Sequence, residues 1–196
     1  TPEGPVHKDL LVDGDRISAL QDRKTVSGND VKVIDGAGRI LFPGMIDVLQ
    51  HGFDINFYHE PTPGCVANSA ELLPQYGVTG FLPSIGSLAP DKTAGVLSDL
   101  AQQCSQARGA RALGVHSEGP CFGAPGAHNP ENLLLPTLEL GHHLINSAEG
   151  KLLAVTVAPE LDGAEEFIGL MKQNGVSVHL GHSRALADNI SRYVSW

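Results

Sequence analysis

The chain has 196 residues, of which 41% are hydrophobic and 18% are charged, and its formal net charge is −9. This balance predicts a folded domain with a packed core rather than a disordered chain. The acidic charge and the scattered Lys and Arg residues argue against a nucleic-acid-binding protein. Three cysteines without CxxC spacing, together with the lack of a signal peptide or a membrane-length apolar stretch, favour a cytoplasmic protein with free thiols and no membrane partner.

Short β-like runs separated by turn residues occupy the first 42 residues. We predict strands at 8–12, 16–20, 31–34 and 40–42. Glycine-containing turns such as Asp13-Gly14-Asp15 separate them. These strands are too few to enclose a core, because an isolated hairpin is marginal in water. Residues 1–42 are therefore expected to belong to a small sheet that is completed by chain from elsewhere.

Residues 43–196 change to a repeated order of strand, loop and helix. The predicted strands are 45–49, 78–83, 112–116, 152–158 and 176–180. The predicted helices are 90–107, one capped by Thr137, 164–173 and 185–194. Strands that alternate with helices predict parallel βα units. About five units are present and a closed barrel of this kind needs eight, so we expect a partial barrel and a chain that is incomplete at its C-terminus.

The most informative motifs end the third and fifth of these strands, at Val115–Pro120 and Val178–Ser183. In a barrel of alternating strands and helices, the carboxyl ends of the strands converge on the active site. Glu118 from one strand and His182 from the other could together hold a divalent ion there. Either residue alone has an ordinary alternative, a solvated loop carboxylate or a packed imidazole. Their pairing favours a metal site.

Three further histidines lie near these strand ends. His116 lies two residues before Glu118 on the same face of the strand, where it either orients the carboxylate or simply faces the barrel interior. His51 ends the first strand and either approaches the metal or is an ordinary loop residue. His179 precedes His182 by three positions and points to the opposite face, so we expect it to be packed rather than ligating.

The loop that follows Glu118 is rich in Gly and Pro and contains Ala127 and His128. Such a density of Gly and Pro predicts a shaped loop above the mouth of the barrel. His128 could hydrogen-bond a substrate there, or it could be a surface residue. The sequence contains no Gly-rich phosphate loop and no Gly-x-Ser-x-Gly elbow.

Together, these motifs resemble the amidohydrolase superfamily and, within it, the family of N-acetylglucosamine-6-phosphate deacetylases. The matching segments follow one another in the family's order at 42–48, 77–84, 114–120, 126–128, 155–161 and 180–183. The Glu-Gly-Pro and Ala-Pro-Glu-Leu elements are rather specific to this branch. The resemblance implies the α/β fold of a metal-dependent hydrolase, a (β/α)8 TIM barrel represented here by about five βα units at 43–196. It also implies a small β-sandwich domain to which residues 1–42 contribute.

The resemblance also implies roles for particular residues. Glu118 and His182 match metal ligands of the family, and Ala127 and His128 match a pair that contacts the substrate. The family's next metal-binding His, its phosphate-binding Arg and its catalytic Asp have no counterpart before Trp196. The catalytic Asp is therefore expected beyond Trp196, and the fragment alone is expected to be inactive.

The family often carries a His-x-His pair after the first strand, and these positions are Leu49 and His51 here. Leu49 cannot ligate a metal, so we expect one divalent ion per site. A carboxylate with an imidazole suits Zn²⁺, Fe²⁺, Mn²⁺ or Co²⁺ about equally well.

The activity implied by the resemblance is hydrolysis of the acetamide of N-acetylglucosamine 6-phosphate to glucosamine 6-phosphate and acetate, a step of amino-sugar catabolism. The family's habit implies a homodimer for the full-length protein. Two alternatives remain open. One is an amidohydrolase that acts on a different N-acetyl sugar phosphate or on a cyclic amide, and the other is a truncated, non-catalytic chain.

Overall fold

A computed structural model describes residues 4–22, 31–36, 38–186 and 193. The chain divides into two compact units, which meet in sequence at Pro43 and Gly44. The first unit contains an antiparallel pair, β1 (Asp9–Asp13) and β2 (Arg16–Gln21). Gly14 permits the tight turn between them, because its φ of +60° lies in the left-handed region. The first two predicted strands are therefore confirmed to within one residue at each end.

The predictions of strands at 31–34 and 40–42 are wrong. Both segments are described, and neither pairs with a strand among the described residues. A β-strand needs a neighbour to complete its ladder of backbone hydrogen bonds, so β-branched composition alone does not produce one.

The second unit alternates strands with helices. Its elements in chain order are β3 (Met45–Gln50), β4 (Gly52–Phe53), β5 (Asn56–Phe57), α1 (Cys65–Leu72), a 3₁₀ helix (Leu73–Tyr76), β6 (Val78–Ile85), α2 (Pro90–Cys104), β7 (Arg111–Ala112), β8 (Val115–Glu118), a second 3₁₀ helix (Pro130–Asn132), α3 (Leu138–Ser147), β9 (Leu152–Val157), α4 (Ala164–Gln173) and β10 (Ser177–Leu180). Strands β4 and β5 form a short antiparallel pair. The other strands form one parallel sheet in the order β10-β9-β8-β6-β3, and β7 pairs with β6. The predicted parallel βα units are thus confirmed.

The sheet is curled, because a side chain of β8 reaches β3 across the intervening β6. His116 Nδ1 lies 2.7 Å from the carbonyl oxygen of Val48. The register pairs Ser84 of β6 with His116, so the contact spans the concave side of the sheet. This curvature brings the carboxyl ends of the strands towards one another.

Most of the predicted helices form with close to their expected bounds. The helix at 164–173 is confirmed at both ends, and α2 begins at Pro90 but ends at Cys104 rather than at 107. Thr137 caps α3, since its hydroxyl accepts the Leu140 backbone N–H at 3.1 Å. The helix predicted at 185–194 falls largely outside the described residues. Helix α1 was not predicted.

The core contains apolar side chains from both the strands and the helices of the second unit. Its largest fully buried members include Phe81, Leu97, Val115, Phe167 and Met171. All three cysteines are free, as the sequence predicts, and all three are buried. Among the described residues, no helix is long and apolar enough to cross a membrane.

Candidate metal centre

The carboxylate of Glu118 is the centre of a cluster of imidazoles. Glu118 is the last residue of β8, and its side chain is only 9% exposed. Its Oε2 lies 2.8 Å from His51 Nε2 and 3.3 Å from His128 Nε2, and its Oε1 lies 3.1 Å from His182 Nε2. The structure therefore brings together four residues that the sequence analysis singled out.

These side chains come from the carboxyl ends of three parallel strands and from one loop. His51 directly follows β3, Glu118 ends β8, and His182 follows β10 by two residues. His128 lies in the loop after β8. Gly119 makes the sharp exit from β8, with a φ of +93°, and a Cβ there would lie 2.7 Å from the Phe122 ring. Only glycine fits this position.

In each of the three histidines Nε2 faces Glu118, and the hydrogen bond made by Nδ1 decides whether that Nε2 can ligate a cation. His51 Nδ1 lies 3.1 Å from the Ser84 carbonyl oxygen, and His182 Nδ1 lies 3.0 Å from the Ala124 carbonyl oxygen. A carbonyl can only accept, so Nδ1 carries the proton in both rings. In the neutral form of each ring, Nε2 therefore presents a lone pair to Glu118.

His128 has the opposite arrangement. The backbone N–H of Ser87 donates to His128 Nδ1 at 3.1 Å, so neutral His128 carries its proton on Nε2. The ligand atoms of Glu118, His128 and His182 lie within 4.8 Å of one another. Despite that proximity, the hydrogen bond from Ser87 makes His128 a donor in this site and favours His51 and His182 as the ligating rings.

The arrangement around Glu118 is suited to a positive charge. Lone pairs of His51 and His182 facing carboxylate oxygens repel unless a proton or a cation lies between them. The pKa of His51 is raised, chiefly by its hydrogen bond with Glu118 and against the opposing effect of burial. The same hydrogen bond is the main reason why the pKa of Glu118 is lowered to about 2. The site favours the ionised carboxylate that a metal requires.

His182 is held in a strained backbone conformation, with a φ of +51°. For a residue other than glycine, such a conformation costs about 1–2 kcal/mol. The loop after β8 contacts it closely. The Ala124 backbone N–H donates to the His182 carbonyl at 2.7 Å, and the Phe122 ring stacks on the imidazole with the centroids 4.1 Å apart. Surrounding contacts thus hold the ring against this strain.

His116 and His179 lie inside the curled sheet without contacting the Glu118 carboxylate. Both nitrogens of His116 are engaged, Nδ1 with Val48 O and Nε2 with Thr156 Oγ1 at 2.9 Å. The contacts of His116 are those of an inward-facing barrel residue rather than of a group that orients the carboxylate. His179 packs edge-on against His116, with ring centroids 5.0 Å apart.

Two further positions of the sequence analysis carry side chains without a ligand atom. Ala127 is exposed and precedes His128 in the loop. Leu49 is 42% exposed on β3 and offers no ligand atom. No metal-binding role is possible for either side chain.

His59 and the backbone group that binds it were not among the predicted site residues. The Gly86 N–H donates to His59 Nε2 at 2.9 Å, next to the Ser87 N–H that binds His128. The His59 ring lies 5.2 Å from that of His51, and burial lowers the pKa of His59. Gly86 directly follows β6, just as Gly119 directly follows β8. That strand-end glycine was the available signal.

Comparison with known proteins relates this geometry to one class of enzymes. No protein-family model matches the chain. N-acetylglucosamine-6-phosphate deacetylase of Caenorhabditis elegans is 36% identical over 185 residues, which are 87% of this chain and 43% of that protein. The rat enzyme of the same name is 38% identical over 159 residues, 77% of this chain and 39% of that protein. N-acetylgalactosamine-6-phosphate deacetylase of Escherichia coli O157:H7 is 33% identical over 160 residues, 79% and 42% of the two chains.

Solved structures of N-acetylglucosamine-6-phosphate deacetylases are also similar to this chain. The crystal structure of N-acetyl-D-glucosamine-6-phosphate deacetylase from Mycobacterium smegmatis matches with a TM-score of 0.82 and 26% identity, over 95% of this chain and 48% of that one. The enzyme of Pasteurella multocida matches with a TM-score of 0.79 and 25% identity, over 96% and 49%.

The fold is that of a partial TIM barrel of the amidohydrolase type. Within this class, the chain is related in sequence and in fold to the N-acetylglucosamine-6-phosphate deacetylases. It spans less than half the length of the relatives that it matches.

Proposed function

We propose that this chain belongs to an enzyme that hydrolyses the acetamide of N-acetylglucosamine 6-phosphate to glucosamine 6-phosphate and acetate. The observation that carries the proposal is the carboxylate of Glu118, surrounded by the Nε2 atoms of His51, His128 and His182 at 2.8–3.3 Å. The proposed reaction is the one for which the relatives are named, because proteins similar to this chain are deacetylases of amino-sugar phosphates.

We propose that Glu118 and His182 ligate one divalent ion and that His51 is a third ligand. The donor set fits such an ion, since one buried carboxylate and two imidazoles with Nε2 lone pairs face one another. Zn²⁺, Fe²⁺, Mn²⁺ and Co²⁺ all accept these ligands. A divalent ion bound there supplies Lewis acidity for an amide carbonyl and lowers the pKa of a water molecule.

The chain's own residues prepare the site for an amide substrate. His128 carries its proton on Nε2, so it donates a hydrogen bond into the site and positions an oxygen of the sugar or of its acetamide. Phe122 is 5% exposed and packs against the rings of His128 and His182. This apolar wall limits access of bulk water to the charged cluster. Ala127 lies beside His128 at the loop surface and contacts the substrate there.

The resemblance to the deacetylases and the net charge also support proposals on the domains, the oligomeric state and the location of the protein. We propose that residues 1–42 belong to a small β-sandwich domain and residues 43–196 to the catalytic barrel. The resemblance supports a homodimer, and the net charge of −9 supports a small-molecule substrate rather than nucleic acid. We place the protein in the cytoplasm, without a membrane partner.

A second substrate is favoured by one specific observation. The Escherichia coli O157:H7 relative, 33% identical over 79% of this chain, is an N-acetylgalactosamine-6-phosphate deacetylase. The two sugars differ only in the configuration of one hydroxyl group. The choice between them therefore depends on hydrogen bonds to that hydroxyl.

Acetate release by the full-length natural protein tests the proposal. The substrates to compare are the 6-phosphates of N-acetylglucosamine and N-acetylgalactosamine, and unphosphorylated N-acetylglucosamine. We expect the highest kcat/KM for N-acetylglucosamine 6-phosphate. A preference for the galactosamine derivative supports the second candidate. No acetate release from either phosphate by the metal-replete protein contradicts both.

A further inference from the structure

The carboxylate of Glu160 lies outside the Glu118 cluster and accepts hydrogen bonds from the residues that directly follow His182. Glu160 lies three residues after the end of β9. We infer that Glu160 is a positioning residue, an inference that rests on the proposed function. Glu160 holds His182 in the orientation that binds the metal, and Glu160 itself does not contact the metal.

Both carboxylate oxygens of Glu160 accept hydrogen bonds from residues directly after His182. The Ser183 hydroxyl donates to Oε2 at 2.7 Å, and the Arg184 backbone N–H donates to Oε1 at 2.5 Å. The Ala185 backbone N–H then donates to Ser183 Oγ at 2.9 Å. A single side chain thereby organises three consecutive residues of the loop. Charge-assisted hydrogen bonds of this kind are the strong ones in proteins.

His182 needs this support because of its backbone conformation. Its φ of +51° is disfavoured for an imidazole-bearing residue. Ala124 contacts His182 itself, at the carbonyl oxygen and at the ring Nδ1, whereas Glu160 contacts the two residues that follow. Without Glu160, residues 183–185 lose their anchor, and His182 can relax out of the left-handed region. The ring then leaves its position 3.1 Å from Glu118.

Gly123 supplies independent evidence that the position of Glu160 is prepared by the fold. A Cβ on Gly123 would lie 2.1 Å from Glu160 Oε1 and 3.5 Å from the Arg184 backbone nitrogen. The loop after β8 therefore passes directly over the carboxylate, and a side chain at 123 would displace it. Since the same loop also bonds His182 through Ala124, Glu160 and the loop restrain the imidazole from two sides.

The affinity for Zn²⁺ alone tests the inference, measured in the full-length natural protein by competition with a chromophoric chelator. We expect Glu160→Ala to weaken Zn²⁺ binding by about 10–100-fold, the usual effect of removing a residue that orients a ligand. Glu160→Gln keeps an acceptor for the Arg184 N–H and should recover most of this affinity. Wild-type Zn²⁺ affinity in folded Glu160→Ala would overturn the inference.

Glu149→Ala is the matched control. Glu149 also accepts a serine hydroxyl and a side-chain amide, from Ser98 at 2.6 Å and Gln102 at 3.0 Å. It precedes β9, at the opposite end of the strand from Glu160. We expect its loss to leave Zn²⁺ affinity unchanged. An equal loss in both variants would contradict a specific role for Glu160.

A double-mutant cycle with Gly123→Ala separates a local effect from a general one. Gly123→Ala alone should weaken Zn²⁺ binding, and it should add nothing in the Glu160→Ala background, because both changes act through the same carboxylate. Additive losses would count against the inference. Should Glu160→Ala fail to fold, Ser183→Ala decides instead, with a several-fold loss expected and an unchanged affinity as the contrary result.

The outcomes also separate this inference from the proposed function. If the wild-type protein binds no Zn²⁺, the metal site itself fails. If Glu118→Gln abolishes binding while Glu160→Ala leaves it unchanged, the metal site stands and only the role of Glu160 is wrong.

Discussion

The backbone N–H of Ser87 donates a hydrogen bond to His128 Nδ1 at 3.1 Å. This contact fixes the proton of neutral His128 on Nε2, which lies 3.3 Å from Glu118 Oε2. His51 and His182 have the reverse arrangement, because their Nδ1 atoms face carbonyl oxygens. Three similar imidazoles around one carboxylate therefore differ in which ring nitrogen carries the proton, and we propose two different roles for them.

The first prediction separates these roles. His128→Asn should lower kcat/KM for the sugar phosphate by about 10–100-fold, the loss expected when a hydrogen bond to substrate is removed. Because His128 donates rather than ligates, Zn²⁺ affinity should stay within a few-fold of wild type. His182→Asn should instead lose Zn²⁺. Equal loss of metal in the two variants would show that His128 is a ligand.

The second prediction concerns Gly86, whose neighbours are the rings of two histidines. A Cβ there would lie 2.8 Å from His128 Cε1 and 2.9 Å from His59 Nε2. Gly86→Ala should therefore displace both imidazoles and reduce kcat/KM by about tenfold or more, since small misplacements of site residues are costly. Steady-state kinetics with the sugar phosphate measures this effect.

Gly95→Ala is the control for that substitution. Gly95 lies within α2, and a Cβ there meets nothing within 4 Å. Its replacement should leave kcat/KM unchanged and raise the free energy of unfolding by about 0.5–1 kcal/mol, because alanine favours the helix. A Gly86→Ala variant as active as Gly95→Ala would show that the two rings can move without consequence.

The third prediction is a loss of stability in acid that arises from His116. Burial is the main cause that lowers the pKa of this histidine to about 4, and the nearby His179 lowers it further. In the unfolded chain it titrates near its ordinary value of 6.5. Between pH 4 and pH 6.5 the unfolded state binds more protons at His116 than the folded state does. The contribution of neutral His116 to the free energy of unfolding is therefore complete above pH 6.5 and is lost as the pH falls towards 4. Its size is about 3 kcal/mol.

Denaturant unfolding of the metal-free protein between pH 7 and pH 4 measures this contribution. His116→Gln should flatten the pH dependence of the free energy of unfolding. The control is His142→Gln, at an exposed residue of α3, and it should keep the wild-type slope. Identical slopes in wild type and His116→Gln would contradict the assignment.

The fourth prediction concerns the helix cap at Thr137. Its hydroxyl accepts the Leu140 N–H at the start of α3. Thr137→Ala should lower the free energy of unfolding by about 1 kcal/mol, and Thr137→Ser should restore it. Chemical denaturation measures both. An unchanged stability in the alanine variant would mean that α3 does not depend on this cap.

Much of the barrel could be predicted because its signals are local. Apolar runs located β6, β8 and β10, and glycines marked the ends of β8 and β10. The parallel topology then placed Glu118 and His182 at one end of the sheet. Helix α2 followed from its apolar stripe and from Pro90 at its first position. Helix α1 was missed because its buried face includes Ser69, which weakens the apolar periodicity.

The finer structure of the site could not be predicted, because it depends on backbone groups. The N–H donors of Gly86 and Ser87 and the carbonyls of Ser84 and Ala124 set the proton positions of the imidazoles. Every residue but proline carries the same backbone donor, so no side-chain pattern records which of them will face a histidine. The contact between the Gly86 N–H and His59 was hidden for the same reason.

We propose that Glu118 holds a divalent ion, and the metal content of the purified protein is the measurement that decides this. The full-length natural protein, Glu118→Gln and Glu149→Gln should be purified identically and analysed by mass spectrometry for Zn, Fe, Mn and Co. We expect about one ion per chain in the wild type and in Glu149→Gln, and almost none in Glu118→Gln, because the amide lacks the negative charge that the ion requires. A folded Glu118→Gln variant that retains a full complement of metal would show that Glu118 is not a ligand.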